Sequence, residues 1–416
     1  MAQYRVGMGR TVAERLSTPL LGYAAQLHRA ILDRAAGDGS DGHHVASPLG
    51  AWLLLGLVAH AEPVAPGTAA GDALAAAVGA RPSEVVFTCG GTESDNLALL
   101  GVLRARQAAD PARRRVLVGT AEHHAVLDTA EALAKSGEAE VTWLPCDADG
   151  VVHPQTVAEA IAQDPASVAL VSVMWANNEV GTIQDIAAIA ALAHEQAIPV
   201  HTDAVQAVGH VPVDFAASGV DLLSLTGHKL GGPGGTGALI VRRELAVAPI
   251  THGGGQERHI RSGTLHTVGI LGLSLAVAQS VTGLDVEAAR LAALRDRLLH
   301  GAMAAVPGIR PGGRWTPGDW TTRLPGNAHL VVAGCDGDSL LYLLDAAGIE
   351  CSTGSACQAG VPQPSHVLLA MGLPERDARG TLRLTLGHTS TQADVEAFLA
   401  ALPAAVERAR RAAAIA

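Results

Sequence analysis

The stretch PVHTDAVQAVGHVPVDFAASGVDLLSLTGHKLGGPGGTGALIV, residues 199–241, decides the fold. It contains three short apolar runs, Pro199 to Thr202, Leu222 to Leu225 and Ala238 to Val241, each of strand length and each followed or preceded by polar, Gly-rich turns. Four similar runs lie upstream: Glu84 to Thr88, Arg115 to Gly119, Val141 to Leu144 and Val168 to Met174. Amphipathic helical patterns separate them from Ala69 to about Val241. Continuously apolar strands alternating with helices predict an α/β fold, a mainly parallel seven-stranded sheet with helices on both faces. Ligands of such sheets bind beyond the carboxyl ends of the strands, so the residues just after each run are the ones to read for function.

Working outward, Val268 to Ala305 reads as one long Ala/Leu helix and Pro307 to Pro325 as a Gly/Pro/Trp-rich linker. Strand Ala328 to Val332, helix Asp338 to Ala347, strand Thr381 to Thr385 and helix Thr391 to Arg410 then predict a smaller C-terminal α+β domain. The first residues have another texture, with helix-like stretches at Val12 to Ala36 and Leu49 to Ala61. The expected division is 1–64 as an atypical helical N-terminal segment, 65–285 as a large cofactor-binding domain and 286–416 as the small domain. The 416 residues are 48% hydrophobic and 17% charged, which excludes a disordered chain. A net charge of −11 argues against nucleic-acid binding, which needs clustered Lys and Arg. No apolar run is long enough to span a bilayer, and the opening MAQYRVGMGR has no apolar secretory core. Five cysteines without CxxC spacing suggest neither a disulfide framework nor a metal site. The expectation is a cytoplasmic protein without membrane or nucleic-acid partners.

Three strand ends carry chemistry. Cys89-Gly90-Gly91-Thr92 follows the first run and opens a helix placed at Asn96 to Arg106, where backbone amides and a helix N-terminus favour a phosphate. Taken alone, that turn reads equally well as a plain tight turn. Asp203 and Gln206 follow the fifth run, and Thr226-Gly227-His228-Lys229 the sixth. A lysine amine able to form a Schiff base and a carboxylate for a pyridinium nitrogen are what pyridoxal 5′-phosphate needs. Burial of Lys229 in its turn is expected to lower its pKa.

The quoted residues, together with FTCGGTESDNLAL at 87–99, AEHHAVLDT at 121–129, ANNEVGTIQDI at 176–186, GGGQERHIRSGT at 253–264, STGSACQAG from 352 and PSHVL ending at 368, resemble the cysteine desulfurases of the iron-sulfur-cluster assembly type. These belong to the class V aminotransferase group of fold-type I pyridoxal-phosphate enzymes. The resemblance runs in order over residues 69–412 and implies an aspartate-aminotransferase-like large domain. It implies Lys229 as the Schiff-base lysine, Asp203 as the pyridinium partner and His123 as the imidazole stacked on the ring. It further implies Gln206 and Asn178 near the phenolic oxygen and the substrate, and Gly91, Thr92, Thr226 and His228 around the phosphate. Thr264 is similar to a residue that reaches the phosphate of a second subunit, which implies a homodimer. Arg383, on a strand where an unpaired guanidinium would be costly, should meet a carboxylate, and the resemblance makes it that of the substrate.

The resemblance also implies the reaction: L-cysteine is converted to L-alanine, and its sulfur becomes a persulfide on Cys357 before passing to an acceptor such as an iron-sulfur scaffold. Cys357 lies among small residues, Gly354 to Gly360, which suits a thiol that must travel. Cys351 reads as buried and inert, and Cys89, Cys146 and Cys335 as packing residues. The family's usual opening, close to YLDNAATTP, has no counterpart here, and Trp175 before the NNE motif is a further departure. A homologue with selenocysteine lyase or other β-elimination activity, or a partner protein without turnover, is the alternative reading.

Overall fold

The computed structural model describes residues 69–354 and 364–413, so the expected N-terminal helices and Cys357 lie outside the described residues. The large unit runs α1 (Ala69–Ala77), β1 (Val85–Thr88), α2 (Gly91–Ala109), β2 (Arg115–Gly119), α3 (His124–Ser136), β3 (Glu140–Leu144), α4 (Pro154–Gln163), β4 (Val168–Ser172), α5 (Ile186–His194), β5 (Val200–Asp203), α6 (Phe215–Ser218), β6 (Leu222–Thr226) and β7 (Gly237–Val241). The seven strands form one sheet in the order β1-β7-β6-β5-β4-β2-β3. Strands β2 to β6 pair in parallel, and β7 runs antiparallel between β6 and β1.

Alternation along each strand explains why helices cover both faces. On β2, Leu117 faces one core with Leu74, Ile161, Ile189 and Leu273, while Val116 and Val118 face the other with Leu97, Leu103, Val126 and Leu133. All five residues of β2, β4, β6 and β7 are buried, as expected for a sheet covered on both sides. The reversal of β7 has a consequence for the site. Its first residue, Gly237, pairs with both Thr226 and Thr88, the last residues of β6 and β1, so the loop between β6 and β7 lies at the edge where the parallel strands end.

The apolar run after residue 267 is not one helix. It divides into α7 (Thr267–Thr282) and α8 (Leu284–Ala305), bent by 72° at Gly283. Glycine supplies no side-chain packing there, and α7 stays on the large sheet while α8 crosses to a second core. Among the described residues no single helix is long and apolar enough to cross a bilayer. The second core holds β8 (Ile309–Pro311), β9 (Asn327–Val332), α9 (Gly337–Asp345), β10 (Thr381–Thr385) and α12 (Gln392–Ala413), while α10 (His366–Ala370) and α11 (Glu375–Arg379) pack in a small separate cluster with Ala121 and Val180 of the large unit. Its antiparallel sheet, in the order β10-β9-β8, packs Leu330 and Leu382 against Leu299, Phe398 and Leu402. The 307–325 segment is therefore more than a linker. It contributes edge strand β8, and Arg295 of α8 fastens it by donating to Asp319 O at 2.9 Å.

Close backbone approach at the sheet edge sets a steric limit. A Cβ on Gly237 would stand 2.7 Å from both Gly90 Cα and Leu225 O, neither of which can move as a side-chain end would. Gly237→Ala is expected to lower the unfolding free energy by about 1–3 kcal/mol, read from the urea midpoint, by forcing β7 away from β1 and β6. An unchanged midpoint would contradict this packing.

Candidate active site

The strand ends bring the sequence-predicted residues to one edge. Helix α2 begins at Gly91, five residues earlier than the sequence pattern places it, so Thr92 lies in its first turn. No side chain caps this helix, and its first N–H groups remain available to an anion. A Cβ on Gly91 would stand 2.8 Å from Val205 Cγ2, so glycine is what lets the helix start come against the loop after β5. Thr226, the last residue of β6, donates its hydroxyl to Thr236 O at 3.0 Å and lies 3.1 Å from His228 Nδ1. Since that hydroxyl proton is already committed, the imidazole Nδ1–H is the donor of the second bond. Thr92 and His228 are exposed.

Asp203 is buried at the end of β5, and one of its oxygens accepts the Val205 N–H at 2.8 Å. Burial first, and the nearby Asp95 carboxyl second, push its pKa up to about 8. The charge of Lys229 opposes that rise. Lys229 itself is exposed, contrary to the buried lysine expected from sequence: it stands on the single 3-10 turn His228–Leu230, ahead of a glycine-rich loop that projects past the sheet edge.

His123 caps α3, its Nδ1 accepting the Ala125 N–H at 3.1 Å. Burial, then the neighbouring His124, lowers its pKa, so the ring is held neutral with its proton on Nε2. The two asparagines divide their tasks. Asn177 forms the turn, its Oδ1 accepting from the backbone N–H of Glu179 and Val180 and its Nδ2 donating to Ala121 O. Asn178 leaves its Oδ1 buried without a hydrogen-bond partner. Gln206 is half-buried in the loop after β5. Trp175 donates its backbone N–H to Asp203 O at 2.8 Å and packs its side chain against the large core.

Arg383 comes from β10 in the second unit. Its guanidinium donates to Asn178 O at 3.2 Å and to Ser352 Oγ at 3.4 Å, which joins the two units at the site. Within the chain a carbonyl and a hydroxyl hold the group, and the carboxylate expected for it is that of the substrate. Thr264 is exposed in the 253–264 loop, with no hydrogen bond to the cradle in this chain. Of the described cysteines, Cys335 is buried, and burial pushes half-buried Cys351 up to about 11. Cys89 is exposed rather than packed, because it leaves the sheet at the turn into α2.

Sequence reasoning missed Glu179, although it lies in the quoted NNE motif. Ser365 donates to its Oε2 at 2.5 Å, and a Cβ on Gly354 would stand 2.7 Å from the same oxygen. The chain on either side of residues 355–363 therefore meets at one carboxyl. Also missed were Asp95, Glu122 and His201, buried behind Asp203. Their only sequence signal was membership of the motifs GTESDN, AEHH and HTDAVQ.

These features fit pyridoxal 5′-phosphate. A buried carboxyl with a single N–H donor suits a protonated ring nitrogen, the uncapped start of α2 with Thr226 and His228 suits a phosphate, and Asn178 holds an unanswered acceptor.

Residues 67–398 match the family model described as aminotransferase class-V. The chain is 55% identical over 342 residues to the IscS-like cysteine desulfurase of Mycobacterium tuberculosis, covering 82% of this chain and 86% of that protein. It is 42% identical over 334 residues to the cysteine desulfurase IscS of Clostridium botulinum, covering 80% and 82%. Among solved structures, a NifS-like protein superposes with a TM-score of 0.72 at 30% identity, covering 88% of this chain and 91% of that one. SspA in complex with cysteine superposes with a TM-score of 0.64 at 32% identity, covering 83% and 90%.

Glu179 makes a pH prediction. Burial first, opposed by Ser365 and Arg383, raises its pKa to about 7, against about 4.3 in an unfolded chain. The folded state keeps the proton longer, so this contribution to stability is complete below the unfolded value and is lost as pH rises through about 7. Glu179→Gln should flatten the fall in unfolding free energy between about pH 4 and about pH 8 by on the order of 2 kcal/mol, measured by urea titration. A parent and variant with parallel pH profiles would contradict it.

Proposed function

Because the chain belongs to the class-V aminotransferases and, within them, to the pyridoxal-phosphate-dependent cysteine desulfurases, we propose a division of labour among its residues for converting L-cysteine to L-alanine. The carrying observation is that buried Asp203 and exposed Lys229 meet at one sheet edge beside an uncapped helix start, close enough for the lysine charge to act on the carboxyl. The names of the relatives favour desulfuration over the β-elimination alternative.

The bound cofactor supplies an electron sink at the substrate Cα. The first N–H groups of α2, where Gly91 and Thr92 lie, with Thr226 and His228, hold its phosphate. Asp203 keeps the ring nitrogen protonated by offering a carboxylate in a place where a lone negative charge is costly. His123, neutral, covers the ring, and Gln206 and Asn178 orient the phenolic oxygen and the substrate side. Arg383 takes the substrate carboxylate: its hydrogen-bond partners in the chain are neutral groups, so its planar guanidinium offers a pair of charged donors. Lys229, on its exposed turn, anchors the cofactor and then moves the proton at Cα.

Cys357 is the residue assigned to sulfur removal. Its thiolate forms a bond to the substrate sulfur as the sulfur–carbon bond breaks, and that electron pair passes to the carbon, where protonation gives L-alanine. Cys357 is left as the persulfide, whose outer sulfur passes to an acceptor protein such as an iron-sulfur scaffold. Thr264, exposed and without a bond to its own cradle, is assigned to the phosphate site of a second copy, which makes the working form a homodimer. The described cysteines are free thiols, which suits a reducing compartment and supports the cytoplasm as the site of action.

Two variants test this reading. Lys229→Ala should lose the visible absorbance of lysine-bound cofactor and slow alanine release by about a thousandfold. Cys357→Ser should keep that absorbance while losing alanine release to a similar degree. Retained absorbance in the first variant, or parental turnover in the second, would overturn the corresponding assignment.

A further inference from the structure

Strand β5 carries a second buried polar side chain that the reaction does not use. His201 lies two residues before Asp203, on the same face of the strand, and is fully buried. Its ring is pinned from both sides: Nδ1 lies 2.9 Å from Ser172 Oγ on β4, and Nε2 lies 3.0 Å from Ser224 Oγ on β6. Asp95, from the second turn of α2, reaches the same ring with Oδ1 3.5 Å from Nε2. That oxygen is buried and makes no hydrogen bond. Glu122 completes the group, with Oε1 accepting the Met174 N–H at 2.6 Å and Oε2 buried and unpartnered.

Asp95, Glu122 and Asp203 are thus three carboxyls in one dry region, none more than 4% exposed. The groups that face them can be named. Asp203 feels Asp95, His201 and Lys229; Glu122 feels Asp203, Asp95 and the Met174 amide; Asp95 has Ser224 and His201 beside it. Lys229, a cation, acts on Asp203 but not on the other two. His201 offers no compensating charge, since burial drives its pKa down to about 4.

Several like charges cannot be held in such a place, because each costs several kcal/mol to bring out of water and each disfavours the next. In the protein alone burial raises Asp95 to about 7 and Asp203 to about 8, so it is a cation brought by a ligand, such as a protonated ring nitrogen, that would draw the one negative charge to Asp203. Taking Asp203 as the partner of the ring nitrogen, we propose that Asp95 is a positioning residue that the fold keeps protonated, so that the negative charge of the cluster resides on Asp203. His201, locked between two hydroxyls, is the neutral spacer that holds the two carboxyls apart. Asp95 touches neither substrate nor cofactor and acts through the charge state of Asp203.

Infrared spectroscopy of the cofactor-loaded protein, with its aspartates labelled with carbon-13, tests this. The parent should show a protonated-carboxyl C=O band that shifts on labelling and fades as pH rises through about 7 or above. The band should be missing in Asp95→Asn, which should bind cofactor within about twofold of the parent affinity and with the parent absorbance. Absence of the band in the parent, its persistence in Asp95→Asn, or loss of cofactor from Asp95→Asn at neutral pH would each overturn the proposal. Where Asp95→Asn fails to fold, the band is read in Asp203→Asn instead: its persistence there assigns the proton to a carboxyl other than Asp203, and its loss overturns the proposal. Asp203→Asn separates the two readings: cofactor bound with the parental spectrum and affinity there would overturn the ring-nitrogen assignment, whereas the band reports on Asp95.

Discussion

The burial of the Asp203 carboxyl at the end of β5 is the constraint on which the site depends. In this setting the charged form is disfavoured, which is why its pKa is driven up to about 8 in the protein alone. A carboxyl placed there is of use to a ligand that brings a cation. The sheet supplies that opening by geometry: parallel strands end together, the Lys229 turn follows β6 directly, and antiparallel β7 starts back from the same edge. Glycines at 90, 91 and 237 allow α2, β7 and the loop after β5 to close around the space in which a phosphate would lie.

The second unit adds the groups that would handle the substrate. Arg383 reaches across to Asn178 O, and Glu179 meets both Gly354 and Ser365. One short stretch, Asn177 to Glu179, therefore forms a turn of the large unit and the contact line with the small one. These contacts bring Gly354 and Ser365 to one carboxyl of the large unit. The same segment shows how local turn chemistry in Asn177 is converted into a relation between two sheets.

Much of this was legible in the sequence. Most strands of the large sheet were readable because they are short, mainly apolar runs, and the site residues because they follow those runs. The bend at Gly283 was not, since the apolar pattern of α7 continues into α8 although the two serve different cores. Strand β8 is three residues long among glycines and prolines, too short to register as a period. The exposure of Lys229 and the neutral partners of Arg383 depend on loop shape and on contact between units. Asp95, Glu122, Glu179 and His201 read as ordinary polar residues along the chain; only the pairing of β4, β5 and β6 and the seating of α2 reveal them as buried.

The central claim is that this site removes sulfur from cysteine and stores it on one residue. Mass analysis of peptides from cofactor-loaded protein, after brief exposure to L-cysteine without an acceptor or reductant, tests it directly. The account predicts one added sulfur atom on the peptide containing Cys357, formed in step with alanine. Alanine formed with the added sulfur on Cys89 or Cys351, or on no cysteine, would contradict it.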